Sequence, residues 1–73
     1  MKLKVDREAD ALYLSLSEEP AKESEEVSPG IIVDFNEKGQ AVGIEMLHLS
    51  KRTSTANMQQ LLFESVPPIR WAE

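Results

Sequence analysis

The stretch Pro29 to Ser50, PGIIVDFNEKGQAVGIEMLHLS, holds two apolar runs, Ile31 to Phe35 and Ala41 to Leu49, on either side of Asn36-Glu37-Lys38-Gly39. Runs rich in β-branched residues and bounded by a glycine-containing turn predict a β-hairpin. Two turns suit the four central residues. In one, Asn36 opens a type I turn and Gly39 takes the left-handed conformation of a bulge, which pairs Asn36 with Gln40 and Ile32 with Ile44. In the other, a four-residue loop pairs Phe35 with Gln40 and sets Ile31, Val33 and Phe35 on one face with Val42, Ile44 and Met46. That choice leaves Asp34, Gly43 and Glu45 on the opposite face. A one-residue slip exchanges the faces of a strand, so the cleaner segregation favours the four-residue loop.

Toward the amino terminus, Lys2 to Val5 alternates polar with apolar, and Leu12, Leu14 and Leu16 alternate with Tyr13 and Ser15. Period-two alternation marks half-buried strands. Asp6-Arg7-Glu8-Ala9-Asp10 is polar enough to turn, so another hairpin is predicted from Lys2 to Leu16. Tyr13 falls on the face opposite the leucines, where its ring can cover the sheet or meet a partner. Ser17 to Ser28 is the least apolar part of the chain and reads as an exposed connector, because Pro20 lacks an amide donor and the glutamates resist burial. Within it, Lys22 to Val27 can add a short edge strand whose charges discourage pairing with other chains.

Toward the carboxyl terminus the period changes. Met58, Leu61 and Leu62 recur at helical spacing, with Ser65 continuing the stripe. Ser50, Thr53 and Ser54 can each cap a helix, and Pro67 and Pro68 end it. A helix of about three turns is unstable alone in water, so its stripe must dock on a sheet, either its own or that of a second copy. In the tail, Trp71 either folds back over the helix or sheet or anchors an interface, where tryptophan is enriched among hot spots.

The 73 residues fit one domain, with a sheet core at 1–49, a helix at 50–65 and a tail at 66–73. A domain this small buries only about 60% of the surface its unfolded chain exposes, and is marginal without help. With no cysteine there is no disulfide and no thiolate ligand. Help then comes from another chain, through self-association or a dedicated partner. The net charge of −5 comes mostly from Glu18, Glu19, Glu23, Glu25 and Glu26, a surface that repels phosphate backbones and argues against a nucleic-acid partner. The amino terminus lacks the pattern of a signal peptide, and no apolar segment approaches the roughly 20 residues that span a bilayer. The expectation is a cytoplasmic protein with no membrane partner.

Three ordered blocks, Asp6-Arg7-Glu8-Ala9-Asp10-Ala11-Leu12-Tyr13-Leu14, Glu26 to Phe35, and Gly39 with Val42-Gly43-Ile44-Glu45-Met46-Leu47 and Ser50, resemble the YuzE-like family. These are short bacterial and archaeal proteins classed as a domain of unknown function. The resemblance spans about residues 3 to 50. The chain departs from it at Val5, where members often have an aromatic residue, and at Leu49, where they often have a small one. The resemblance implies a small α+β domain, supplies no catalytic residues, and through members that look like antitoxins of two-gene modules it implies a protein partner.

Candidate chemistry is sparse. Asp6, Glu8 and Asp10 alternate like the start of a calcium loop, but the required glycine and bidentate carboxylate are replaced by Ala11 and Ser17. Asp34 and Glu45 on one hairpin face can share a proton or an ion, as paired acids do in glycoside hydrolysis, yet a chain this short has little material for a cleft. His48 and Ser50 lack a motif that joins base to nucleophile. Gly30, Gly39 and Gly43 match no phosphate loop; Gly43 marks a bulge or the close approach of a side chain such as Tyr13 or Phe35.

The sequence therefore predicts an α+β fold: an antiparallel sheet of about four strands, built from two β-hairpins, with one C-terminal helix packed on it. It predicts a small non-enzymatic interaction module with no catalytic, cofactor-binding or metal residues. The expected interface comprises Tyr13, Met58, Leu61, Leu62, Phe63 and Trp71, and serves a homodimer or one half of a two-protein pair. The alternative from another class is a ligand- or metal-binding protein with weak carboxylate-based activity, using Asp6, Glu8, Asp10, Asp34 or Glu45.

Overall fold

Both predicted hairpins form. In the first, β1 (Lys2–Asp6) pairs antiparallel with β2 (Ala11–Ser15), from Lys2 opposite Ser15 to Asp6 opposite Ala11. Asp6 Oδ1 accepts the Ala9 amide at 3.0 Å within the turn, and Asp10 ends it at φ 55°, a left-handed conformation that short acidic side chains tolerate. The computed structural model describes residues 1–66.

The organising hairpin joins β4 (Ile31–Phe35) to β5 (Ala41–Leu47) and draws on both predicted turns. At its tip the Asn36 amide donates to the Gln40 carbonyl at 2.9 Å, the Gly39 amide donates to Asn36 at 3.0 Å, and Gly39 sits at φ 80°. This is the turn with Gly39 left-handed. Phe35 lies opposite Ala41, but Asp34 already lies opposite Gly43, so β5 carries Val42 as an extra residue. The bulge puts Val33 opposite Ile44 and Ile31 opposite Met46, which is the face segregation the four-residue loop was meant to supply. Val42 itself departs from that set and lines a hollow with Tyr13, Ser15 and Ser17.

The expected α+β fold of four strands and a packed helix is overturned. The described chain is mostly β: one five-stranded antiparallel sheet in the order β1-β2-β5-β4-β3, followed by a 3-10 turn at Leu49–Lys51 and a short α1 (Thr55–Gln59). The added strand, β3 (Glu23–Ser28), pairs with β4 through the Pro29-Gly30 turn, with Gly30 at φ 77° and a bulge between Glu26 and Ser28. Its side chains are all exposed, so it is held by its backbone ladder and by turn chemistry, and low hydrophobicity does not prevent it from forming.

The helix expected over 50–65 contracts to five residues capped by Ser54, whose Oγ accepts the Asn57 amide at 3.1 Å. Gln60 is already extended. No acidic residue lies in its first turn and no basic one in its last, and Leu61, Leu62 and Phe63 beyond it are 65%, 83% and 79% exposed. Helical spacing alone does not hold a short helix that has no surface to dock on.

Candidate functional site

Strand alternation sorts the sheet into two faces of different character. On one, β1 contributes Leu3 and Val5 opposite Leu14 and Leu12 of β2. Leu12 and Leu14 lie opposite Met46 and Ile44 of β5, which in turn oppose Ile31 and Val33 of β4. These four strands place no charge on this face. The fifth, β3, adds Glu25 opposite Val33 and Glu23 opposite Phe35, so charge enters only along one edge. Among the described residues the buried apolar side chains are Ala11, Val42 and Leu49, and no large side chain is fully buried. The centre of the apolar face is partly buried, and its edge residues Leu3 and Leu16 are each 40% exposed. A sheet with one apolar face ordinarily packs it against a second layer.

The opposite face is polar and internally bonded. The Tyr13 hydroxyl donates to Asp34 Oδ2 at 2.9 Å, and the Ser24 hydroxyl donates to Asp34 Oδ1 at 2.6 Å, which ties β2, β4 and β3 together. Tyr13 reaches Asp34 by crossing Gly43, where a Cβ would collide with the phenol oxygen and ring. The bond to Asp34 raises the Tyr13 pKa above its usual value, with burial and the carboxylates of Asp34 and Glu45 adding to the shift. Beside Tyr13, Lys4, Asp6, Ala9, Ala11 and Glu45 line a hollow of ≈ 170 Å³, smaller than the roughly 300–1,000 Å³ of ordinary ligand pockets.

Two fastenings lock the carboxyl end of β5. The Ser50 amide and hydroxyl donate to Asp10 at 2.9 and 2.8 Å, and the Leu49 amide donates to the Asp10 carbonyl at 2.9 Å. Arg52 donates from Nε to the Leu47 carbonyl at 2.8 Å and from Nη2 to the Pro29 carbonyl at 2.7 Å, lying over Gly30. At the far tip, buried Asn36 holds the turn through Lys38 and Gln40 and reaches Glu19 of the connector at 2.7 Å.

The expected interface residues separate. Tyr13 stands on the polar face, engaged with Asp34. Met58 lies half-buried on α1, and Leu61, Leu62 and Phe63 follow it in an exposed, non-helical segment. Trp71 lies outside the described residues. Of the carboxylates of the alternative reading, Asp34 and Glu45 do share a face and both act on Tyr13, and Asp6 lines a hollow with Glu45, whereas Asp10 is bonded to Ser50 and Glu8 stands exposed in its turn. Among the described residues no three His, Cys, Asp or Glu side chains are grouped to hold a metal, and no helix is long and apolar enough to cross a membrane. Ser50, read as a helix cap, gives its hydroxyl to Asp10, and Ser54 does the capping. Sequence reasoning missed Ser24, whose signal was its alternation opposite Asp34, and the grip of Arg52 on the Leu47 and Pro29 carbonyls.

Comparison with curated proteins and with solved structures finds no match. A family described as protein of unknown function (DUF2283) matches residues 2–50, the whole sheet up to the Asp10–Ser50 fastening, and by that match the chain belongs to this family.

Proposed function

We propose that the chain is a non-enzymatic association module that works by burying its apolar sheet face against another protein surface. The observation that carries this reading is a five-stranded sheet with one charge-free face on four strands and no second layer among the described residues. A contiguous apolar face that is only partly covered marks an interaction site when it has no second layer. Of the acids offered for catalysis, Asp6, Asp10 and Asp34 accept hydrogen bonds that hold turns and strands together, which gives each a structural role. On this reading the chain is a cytoplasmic member of the YuzE-like group, either a homo-oligomer or the antitoxin-like half of a two-protein pair.

The test is titration with an environment-sensitive apolar dye at high dilution, with solution mass and circular dichroism measured on the same samples. A folded monomer that binds the dye, or a folded oligomer that excludes it, is expected. A folded monomer that excludes the dye has closed the face with its own chain, which overturns the reading.

A further inference from the structure

We infer that the surface covering the apolar face is the same face of a second copy, the two sheets stacked as a sandwich with the segment from Leu61 to Val66 of each chain along the rim. This rests on the association reading above and names its partner.

Charge distribution fits an uncharged partner surface, and the same face of a second copy is one. A partner chosen by electrostatic complementarity needs charge to read, and β1, β2, β4 and β5 present none on this face. The net −5 of each chain does not oppose stacking at the centre of the face, because Glu18, Glu19, Glu23, Glu25 and Glu26 lie in the connector and on the β3 edge, and Glu64 falls in the segment placed along the rim. The same edge sets the symmetry. A two-fold axis across the strands would lay the Glu23 and Glu25 row of one copy on that of the other. An axis along the strands lays it instead over Leu3 and Val5 at the opposite edge, and keeps like charges at separate rims.

A stable dimer needs more area than the sheet face alone supplies, and the exposed carboxyl-terminal segment can supply it. Five strands about 4.8 Å apart and five residues long at about 3.4 Å each present a face of about 400 Å², or about 800 Å² for two copies. Stable interfaces bury roughly 1,200–2,000 Å². Leu61, Leu62, Phe63 and Val66, 65%, 83%, 79% and 71% exposed, each offer about 100 Å². With both segments included the total reaches about 1,600 Å², the size of a standard specific interface.

The chain has no cysteine, so a single introduced thiol reports its own surroundings. Val33→Cys probes the centre of the face and Leu3→Cys its tolerant edge, with Lys4→Cys as an outward control. Thiol reactivity and solution mass are followed over a dilution series of the full chain. Expected is twice the chain mass at high concentration with both face thiols shielded, and reactivity appearing together with dissociation while Lys4→Cys reacts throughout. In a chain carrying Leu62→Glu and Phe63→Glu, dissociation should shift to at least tenfold higher concentration, and an unchanged midpoint removes the segment from the interface. A monomer with reactive face thiols overturns the second copy but leaves the association reading for a different protein. A monomer with shielded face thiols overturns both. An oligomer with reactive face thiols joins through other surfaces and overturns the sandwich.

Discussion

Tyr13 shows how one side chain fixes its surroundings on the polar face. Its hydroxyl donates to Asp34, a bond that exists only while the phenol keeps its proton, so the folded chain holds that proton more tightly than the unfolded chain does. The stabilisation is therefore complete below the ordinary tyrosine pKa of about 10 and is lost as pH rises through the higher folded value. Alkaline denaturation should be steeper for the natural chain than for Tyr13→Phe. Because Tyr13 is the only tyrosine, its phenolate absorbance should appear at higher pH in the folded than in the unfolded chain; coincident titrations would show that the bond does not persist in solution. The sequence placed Tyr13 opposite the leucines and named it as a neighbour of Gly43, both of which follow from strand alternation and from a glycine inside a strand. It carried no sign of Asp34 as acceptor, because that pairing depends on which strands lie side by side.

At the scale of elements, β5 and α1 illustrate opposite outcomes of reading a pattern. The alternation of β5 was legible, and Gly43 pointed to a bulge or a close approach, both of which occur; what stayed hidden was that two turns read as exclusive are reconciled by one extra residue at Val42, which satisfies the tip of one and the faces of the other. Gly43, next to that bulge, is the most constrained point of the strand. Gly43→Ala should destabilise the fold by about 1–3 kcal/mol in denaturant unfolding, since the methyl displaces Tyr13 from Asp34. In a Tyr13→Ala background the cost should fall by about 1 kcal/mol, a coupling that a double-mutant cycle measures directly. β3 was weighed as an addition and left out of the strand count because apolar content was the criterion, whereas an edge strand needs a turn and a ladder. For α1 the spacing of Met58, Leu61 and Leu62 was real, and the missing ingredient was a surface on which to dock.

For the whole molecule, the sheet order separates two units joined at one seam. β1 and β2 form one hairpin, β3, β4 and β5 form a meander, and β2 against β5 is the one pairing between strands not consecutive in the chain. Asp10 fastens the end of that seam to Leu49 and Ser50. Asp10→Ala should lower global stability by about 1–2 kcal/mol, through two lost hydrogen bonds and an alanine forced to φ 55°, while Asp10→Asn should retain most of it. Equal midpoints for the two variants in denaturant would show that the seam holds without this fastening.

The position of β5 also bears on how the protein is made. Among the described strands it is the last to be synthesised, and it is the central strand of the sheet, flanked by β2 and β4. While the chain leaves the ribosome, β1 with β2 and β3 with β4 can close as local hairpins, yet nothing joins them until β5 arrives and zips both at once. A nascent chain halted before Leu47 is thus left as two unjoined hairpins, with the edges that β5 would have filled open to any strand that passes.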